Sequence, residues 1–165
     1  PVMKHMPGHG RAIADSHHNL PRVSAPANDL RGSDFAAFAA LRDLPMGMTS
    51  HIVYGALDNA PATASARMIG LIRDEIGFDG LLMTDDISMN ALSGTLAQRS
   101  AAAIAAGCDV VLYCHGDMAE MEAIVPAAGR MSAAAVERGA RALALRHAST
   151  LDLAQARAEF DALIA

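Results

Sequence analysis

The sequence predicts an α/β domain built on a parallel sheet. Apolar runs of strand length alternate with alanine-rich stretches of helical spacing, and turn residues separate the two. Of the 165 residues, 52% are hydrophobic but only 4% aromatic, an aliphatic composition that suits one soluble domain.

The elements follow in order. Residues 1–5 read as a strand remnant. Residues 7–33 read as one long loop, with Pro7, Gly8, Gly10, Pro21, Pro26 and Gly32 set among polar residues. That is about twice the length at which a structureless loop becomes uncommon in a compact domain, and such loops are usually functional or disordered. Its His9, His17 and His18 beside Asp15 favour function. Helix 34–43 rests on Phe35-Ala36-Ala37-Phe38-Ala39-Ala40-Leu41, with Ser33-Asp34 as its cap. Strand 46–54 leads to helix 63–76, which Gly77 ends, and strand 80–84 leads to helix 95–106, which Gly107 ends. Strand 109–114 and helices 117–125, 130–148 and 152–164 complete the chain. Strict β-then-α alternation implies parallel strands joined by right-handed crossovers.

Charge narrows the partners. The net charge is −5, and 13 Lys and Arg residues are scattered singly among 18 Asp and Glu, so no basic stripe is available for phosphates and nucleic acid is not an expected partner. No apolar run approaches the roughly 20 residues of a membrane span, so no membrane role is expected. Two cysteines, Cys108 and Cys114, are too few for a disulfide scaffold, and their positions suggest packing thiols in a reducing, cytoplasmic compartment. The chain opens on Pro1-Val2-Met3 with no initiator methionine, which reads as a piece of a longer polypeptide whose targeting segment, if any, lies upstream.

Two places could carry chemistry. The first is Lys4-His5-Met6-Pro7-Gly8-His9-Gly10, followed by Asp15-Ser16-His17-His18. Lys4 is the sole lysine, which suits a specific hydrogen-bonding task as well as plain solvation. An Asp two residues before a His can accept from the imidazole and stabilise the imidazolium, making His17 a general acid–base; an ordinary loop hydrogen bond fits the same spacing. The second is Gly80 to Met89, an apolar strand running into Asp85 and Asp86. Carboxylates at the C-terminal end of a parallel strand read as catalytic, although both could instead cap the next turn. Strand alternation makes the two inequivalent. A zinc site from His5, His9 and His17 is a further reading, but Pro7-Gly8 breaks the helix that i, i+4 ligands need, so no metal is expected. His51 lies in a predicted strand, lining either a pocket or the core; His115 carries no pattern.

Together, Lys4 to Gly10, Asp15-Ser16-His17, and Gly77-Phe78-Asp79-Gly80 leading to Thr84-Asp85-Asp86-Ile87-Ser88-Met89 resemble the family 3 glycoside hydrolases, in their bacterial β-N-acetylglucosaminidase branch. The resemblance runs from residue 2 to about residue 148. It implies a retaining hydrolase on a TIM (β/α)8 barrel, needing no cofactor. Asp85 would be the nucleophile that forms a glycosyl-enzyme, and His17 the acid–base, with Asp15 as its partner on the loop. Lys4 and His5 would bind the N-acetylglucosamine of a cell-wall saccharide. Met6 stands where the family usually has phenylalanine. Most glycosidases use two carboxylates. Here a histidine takes the second role, and its glycine- and proline-rich loop suggests that the dyad assembles on closure over substrate.

A (β/α)8 barrel takes about 250 residues, roughly 31 per unit. Four strands therefore make about four β/α units, half a barrel with one enlarged loop, and the resemblance implies that residues 1–165 are its C-terminal half, with a catalytic loop at 7–33. The missing N-terminal half, in the same polypeptide or a second chain, would supply the residues that clasp the sugar hydroxyls. A β-glucosidase, a phosphorylase of the same family, or an inactive binding fragment remain alternative readings.

Overall fold

The computed structural model describes residues 1–147 and 151–164. Strands β1 (Val2–Met6), β3 (Met46–Thr49), β5 (Leu81–Asp86) and β6 (Val110–Leu112) form one sheet in the order β1-β3-β5-β6, every pair parallel. Short β2 (Arg22–Val23) and β4 (Val53–Tyr54) pair separately. The helices are α1 (Ala27–Leu30), α2 (Ala36–Ala39), α3 (Ala66–Asp74), α4 (Leu96–Ala106), α5 (Met118–Ala128), α6 (Ala133–Ala144) and α7 (Leu153–Ile164). Each long-sheet strand is followed by helix, the arrangement of part of a (β/α)8 barrel.

Several boundaries differ from the sequence reading. The loop 7–33 is not structureless throughout: β2 lies within it, and the helix expected at 34–43 starts at Ala27. Pro26 supplies the start, because its carbonyl accepts from Asp29 and Leu30 N–H and its fixed φ suits a helix entry. A single π turn, Arg31–Phe35, joins α1 to α2. Ser33 therefore lies inside the helical run and is no cap; its hydroxyl donates back to the Asp29 carbonyl at 2.7 Å. Strand 46–54 is two strands, broken at residues 50–52, with β4 turned to β2. Strand 80–84 extends through both aspartates, whereas 109–114 shrinks to Val110–Leu112. Helix 63–76 becomes a 3₁₀ turn, Ala62–Ala64, then α3, which Ser65 caps through Met68 N–H. Thr95 and Gln98 form a capping box for α4, and Gly107, at φ 111°, closes it in a left-handed conformation that favours glycine. Helix 130–148 is α6, Ala133–Ala144; residue 148 lies outside the described residues, as do 149, 150 and 165 of the expected domain.

One face of the sheet packs against the helices. Met3, Met6 and Leu82 meet Phe35, Tyr54, Met68, Ile72 and Phe78, all buried. Each large aliphatic side chain so buried contributes about 1.5–3 kcal/mol. Gly47 is required here, because a Cβ would lie 2.7 Å from Met6 Sδ and 2.9 Å from the Phe78 ring. Alternation puts Val2, Lys4, Met46, Leu81 and Met83 on the opposite face, where each is exposed or half-buried. That open face is the side a closed barrel turns inward.

An ionic clasp ties the N-terminal ends of the strands to the helices. The buried Asp109 carboxylate accepts from Arg73 at 2.7 Å, Arg138 at 3.0 Å and the backbone N–H of Leu82 at 2.8 Å. Arg73 also donates to the carbonyls of Phe78 and Gly80, so α3, β5, β6 and α6 meet at one carboxylate. No helix among the described residues is long and apolar enough to cross a membrane.

Candidate active site

The chemistry-bearing residues gather at the C-terminal ends of the strands, the end at which barrel enzymes build their sites. β5 delivers Asp85 and Asp86 side by side, and they differ in every partner. The Asp86 carboxylate is engaged with the chain: Oδ1 accepts Ser88 N–H at 3.0 Å and Cys114 N–H at 3.4 Å, and Oδ2 accepts the Ser88 hydroxyl at 2.6 Å. Burial alone would raise its pKa, but the Ser88 hydroxyl and N–H outweigh burial and hold it below the usual carboxylate range. Asp86 is thus the residue that caps the turn. Asp85 accepts the Asp86 N–H on Oδ1 at 2.9 Å, and its Oδ2 lies 3.5 Å from His5 Nε2.

His5 comes from β1, across β3. Burial lowers its pKa, and the attraction of Asp85 only partly offsets that, so the ring is neutral near pH 7. Its ring stands 5.5 Å from that of His9, whose Nε2 lies 3.4 Å from Ser16 Oγ. Among the described residues, no three His, Cys, Asp or Glu side chains converge as a metal site. Lys4 is exposed, on the open face of β1.

The loop brings Asp15 and His17 together. Asp15 Oδ1 accepts both the His17 backbone N–H at 2.9 Å and, at 2.7 Å, Nδ1 of the ring. The His17 backbone N–H first and its ring second hold the Asp15 carboxyl below its ordinary pKa, so it is charged across the neutral range. With Nδ1–H given to Asp15, Nε2 is the atom left to carry a transferable proton. Both side chains are exposed, His17 at 72%. Among the described residues no hydrogen bond or ion pair joins the dyad to Asp85.

The loop is nonetheless anchored beside β5. Asn90 N–H, just past β5, donates to the His17 carbonyl at 3.2 Å. At its near end the buried Tyr54 hydroxyl donates to the Gly8 carbonyl, and Arg11 pairs with Asp34 at 2.7 Å. At its far end Val53 N–H donates to Pro21 and Gly55 N–H to Val23, each at 3.0 Å. Between these anchors residues 10–19 are mostly exposed, Ile13 at 98%.

The sequence assigned no role to Ser88, Arg99 or His115. Arg99 donates to the carbonyls of Ile87, Met89 and Gly94, which fixes the turn after β5. His115 Nε2 lies 3.3 Å from Ser88 Oγ. His51, read as lining a pocket or the core, is fully buried behind the site. Cys108 is buried as expected of a packing thiol, but Cys114 is exposed, because β6 ends at Leu112.

The family profile described as the glycosyl hydrolase family 3 N-terminal domain matches residues 1–144. A β-hexosaminidase from Alkalilimnicola ehrlichii is 44% identical over 119 residues, which are 69% of this chain and 34% of the relative. One from Bordetella pertussis is 40% identical over 122 residues, 71% of this chain and 35% of the relative. A family 3 β-N-acetylglucosaminidase structure from Paenibacillus sp. superposes with a TM-score of 0.76 at 31% identity, covering 92% of this chain and 33% of that one. The structure of NagZ from Neisseria gonorrhoeae, in complex with N-trifluoroacetyl-D-glucosamine, gives 0.72 at 30% identity, covering 84% of this chain and 41% of that one. The chain thus spans about a third of the length of the curated relatives it matches.

Proposed function

The chain belongs to glycosyl hydrolase family 3, within that family's N-terminal domain, and from that premise we propose that it is the C-terminal half of the (β/α)8 barrel and carries the catalytic groups of a retaining β-N-acetylglucosaminidase. The observation that carries the reading is the inequivalence of the two aspartates. Asp86 is committed to Ser88, while Asp85 is left facing His5 at the end of the sheet. Asp85 attacks the anomeric carbon as His17 gives its Nε2 proton to the departing glycosidic oxygen, leaving a glycosyl ester on Asp85. Water then gives a proton back to His17 and attacks the same carbon, releasing the Asp85 carboxylate. Asp15 holds the imidazole in one tautomer and stabilises its charged form. Lys4 and His5 hydrogen-bond the sugar. The anchored but exposed loop closes over substrate to bring His17 to the bond and exclude water.

The names of the relatives support a terminal β-linked N-acetylglucosamine as substrate. Peptidoglycan fragments handled in the cytoplasm are the source this reading assigns. The other half of the barrel covers the open face of Val2, Met46, Leu81 and Met83 and pairs with the edges of β1 and β6. The test is to fuse the chain behind the first four β/α units of the Alkalilimnicola relative and assay an aryl N-acetylglucosaminide against an aryl glucoside, with and without phosphate. Hydrolysis of the first, with a fluorinated N-acetylglucosaminyl inactivator trapped on Asp85, is expected. Preference for the glucoside, a phosphate requirement, or a well-folded barrel that traps nothing would overturn the reading in favour of a β-glucosidase, a phosphorylase or an inactive fragment respectively.

A further inference from the structure

His51 has no exposed surface and sits in the break between β3 and β4. Its Nε2 lies 3.0 Å from the carbonyl oxygen of Asp86, and its Nδ1 lies 2.8 Å from the Thr63 hydroxyl. A carbonyl only accepts, so Nε2 carries a hydrogen. Burial lowers the pKa of His51, so the ring is neutral and Nδ1 must accept. The Thr63 hydroxyl has two acceptors in reach, the Ser50 carbonyl at 3.1 Å and His51 Nδ1 at 2.8 Å, and with the ring neutral its hydrogen goes to the nearer, Nδ1. The Thr49 hydroxyl, 2.7 Å from that of Thr63, then donates to Thr63 in turn. The Asp86 carbonyl thus fixes the tautomer of His51, and two threonine hydroxyls in series brace the other ring nitrogen.

The peptide units on either side of the Asp86 Cα link this chain to Asp85. The Asp86 N–H donates to Asp85 Oδ1 at 2.9 Å, and the Asp86 carbonyl accepts from His51. We infer that His51 is a positioning residue, which sets the Asp85 carboxylate through the backbone of Asp86 and is itself held in register by Thr63 and Thr49. The inference rests on the reading of Asp85 as nucleophile. A carboxylate attacking carbon must be held within a fraction of an ångström of its line of approach, and a displacement of 1 Å can cost about a hundredfold in rate. An apolar residue at 51 would leave the Asp86 carbonyl with only the longer bond from Met89 N–H, at 3.2 Å, and would free the end of β5 to shift.

The experiment uses the completed barrel. His51→Leu keeps volume but loses the donor; His51→Gln can still present an N–H at the Nε2 position. Thr63→Val removes the hydroxyl that braces Nδ1, and Thr63→Ser restores it. The expected result is a loss of kcat in His51→Leu on the order of a hundredfold, with KM little changed. The loss should be equal for good and poor leaving groups, because attack by Asp85 is common to both. His51→Gln and Thr63→Ser should recover most of the rate, and Thr63→Val should share the defect. Wild-type kcat in His51→Leu, or equal losses in His51→Leu and His51→Gln, would overturn the inference. Should His51→Leu fail to fold, the two Thr63 variants decide: equal rates in Thr63→Val and Thr63→Ser overturn it. A wild-type barrel without glycosidase activity, or an adduct on another residue, would count against the nucleophile reading instead.

Discussion

The backbone N–H of Asp86 donates to the side chain of Asp85 at 2.9 Å, while the Asp86 carboxylate turns to Ser88 and accepts both its N–H and its hydroxyl. Two identical neighbouring side chains therefore have separate tasks. Asp85→Asn is expected to abolish turnover and leave stability nearly unchanged. Asp86→Ala should do the reverse in kind, retaining measurable turnover while losing about 0.5–2 kcal/mol of stability, the usual scale of a lost capping side chain. Urea midpoints and single-turnover rates on the two variants check this, and an inactive Asp86→Ala with full stability would reverse the assignment.

His17 and Asp15 share one strong hydrogen bond on an exposed loop, at 2.7 Å. Removing a general acid costs about 10²–10⁴-fold where the leaving group needs a proton. His17→Ala should lose that much on alkyl or phenyl N-acetylglucosaminides and much less on dinitrophenyl ones. Asp15→Ala should give a milder form of the same pattern. Equal losses on both substrates would remove His17 from the acid role, and an unchanged rate in Asp15→Ala would dissolve the dyad.

The legible parts of this molecule are those whose signals are local. An apolar run meeting two carboxylates marked the end of β5 to within two residues, and an alanine-rich run closed by Gly107 marked α4 within a residue. The pairing of Asp15 with His17 was legible because two residues of spacing suffice for it. The break in the expected strand 46–54 was not, because Ser50 to Tyr54 are as strand-like in composition as Met46 to Thr49. What breaks it is His51 reaching residues 12 and 35 positions away. β2 is two residues long and exists only because β4 lies beside it. The contact of His5 with Asp85 likewise depends on strand order, which joins residues eighty positions apart through a sheet neighbour neither belongs to.

Burial lowers the pKa values of both His5 and His51. In the unfolded chain these rings titrate near 6.5. Below that pH the unfolded state binds more protons than the folded one, so stability falls as the pH drops, until the folded pKa values are passed. The urea midpoint is expected to decline between pH 7.5 and pH 5, and His51→Gln should flatten part of that decline. An identical pH slope in wild type and variant would show that His51 is not held neutral.

Asp109 and Asp79 both pair with Arg138, at opposite extremes of exposure. The Asp109 side chain is 4% exposed and accepts from two arginines; that of Asp79 is 72% exposed. Breaking a buried ion pair by deleting one partner leaves uncompensated charge and costs about 3–5 kcal/mol. Asp109→Ala should lose that much, whereas Asp79→Ala should lose no more than about 1 kcal/mol, the ceiling for most exposed pairs. Comparable unfolding midpoints for the two would mean that water reaches Arg73 and Arg138 where the clasp holds them.

The two thiols provide a chemical reading of the same end of β5. Burial pushes the Cys108 thiol up to about 12, and it should resist alkylation in the folded protein. Cys114 is exposed, yet burial of its sulfur first and the adjacent Asp86 carboxylate second raise its pKa as well. Because the thiolate is the reacting form, Cys114 should label before Cys108 but more slowly than a free cysteine at pH 7.5. Replacing Asp86 with Asn removes the negative charge beside the sulfur, so labelling should accelerate. Mass spectrometry after timed iodoacetamide exposure measures both rates. An unaltered Cys114 rate in Asp86→Asn would mean that the carboxylate lies too far from the sulfur to act on it, and the contact between the ends of β5 and β6 would have to be redrawn.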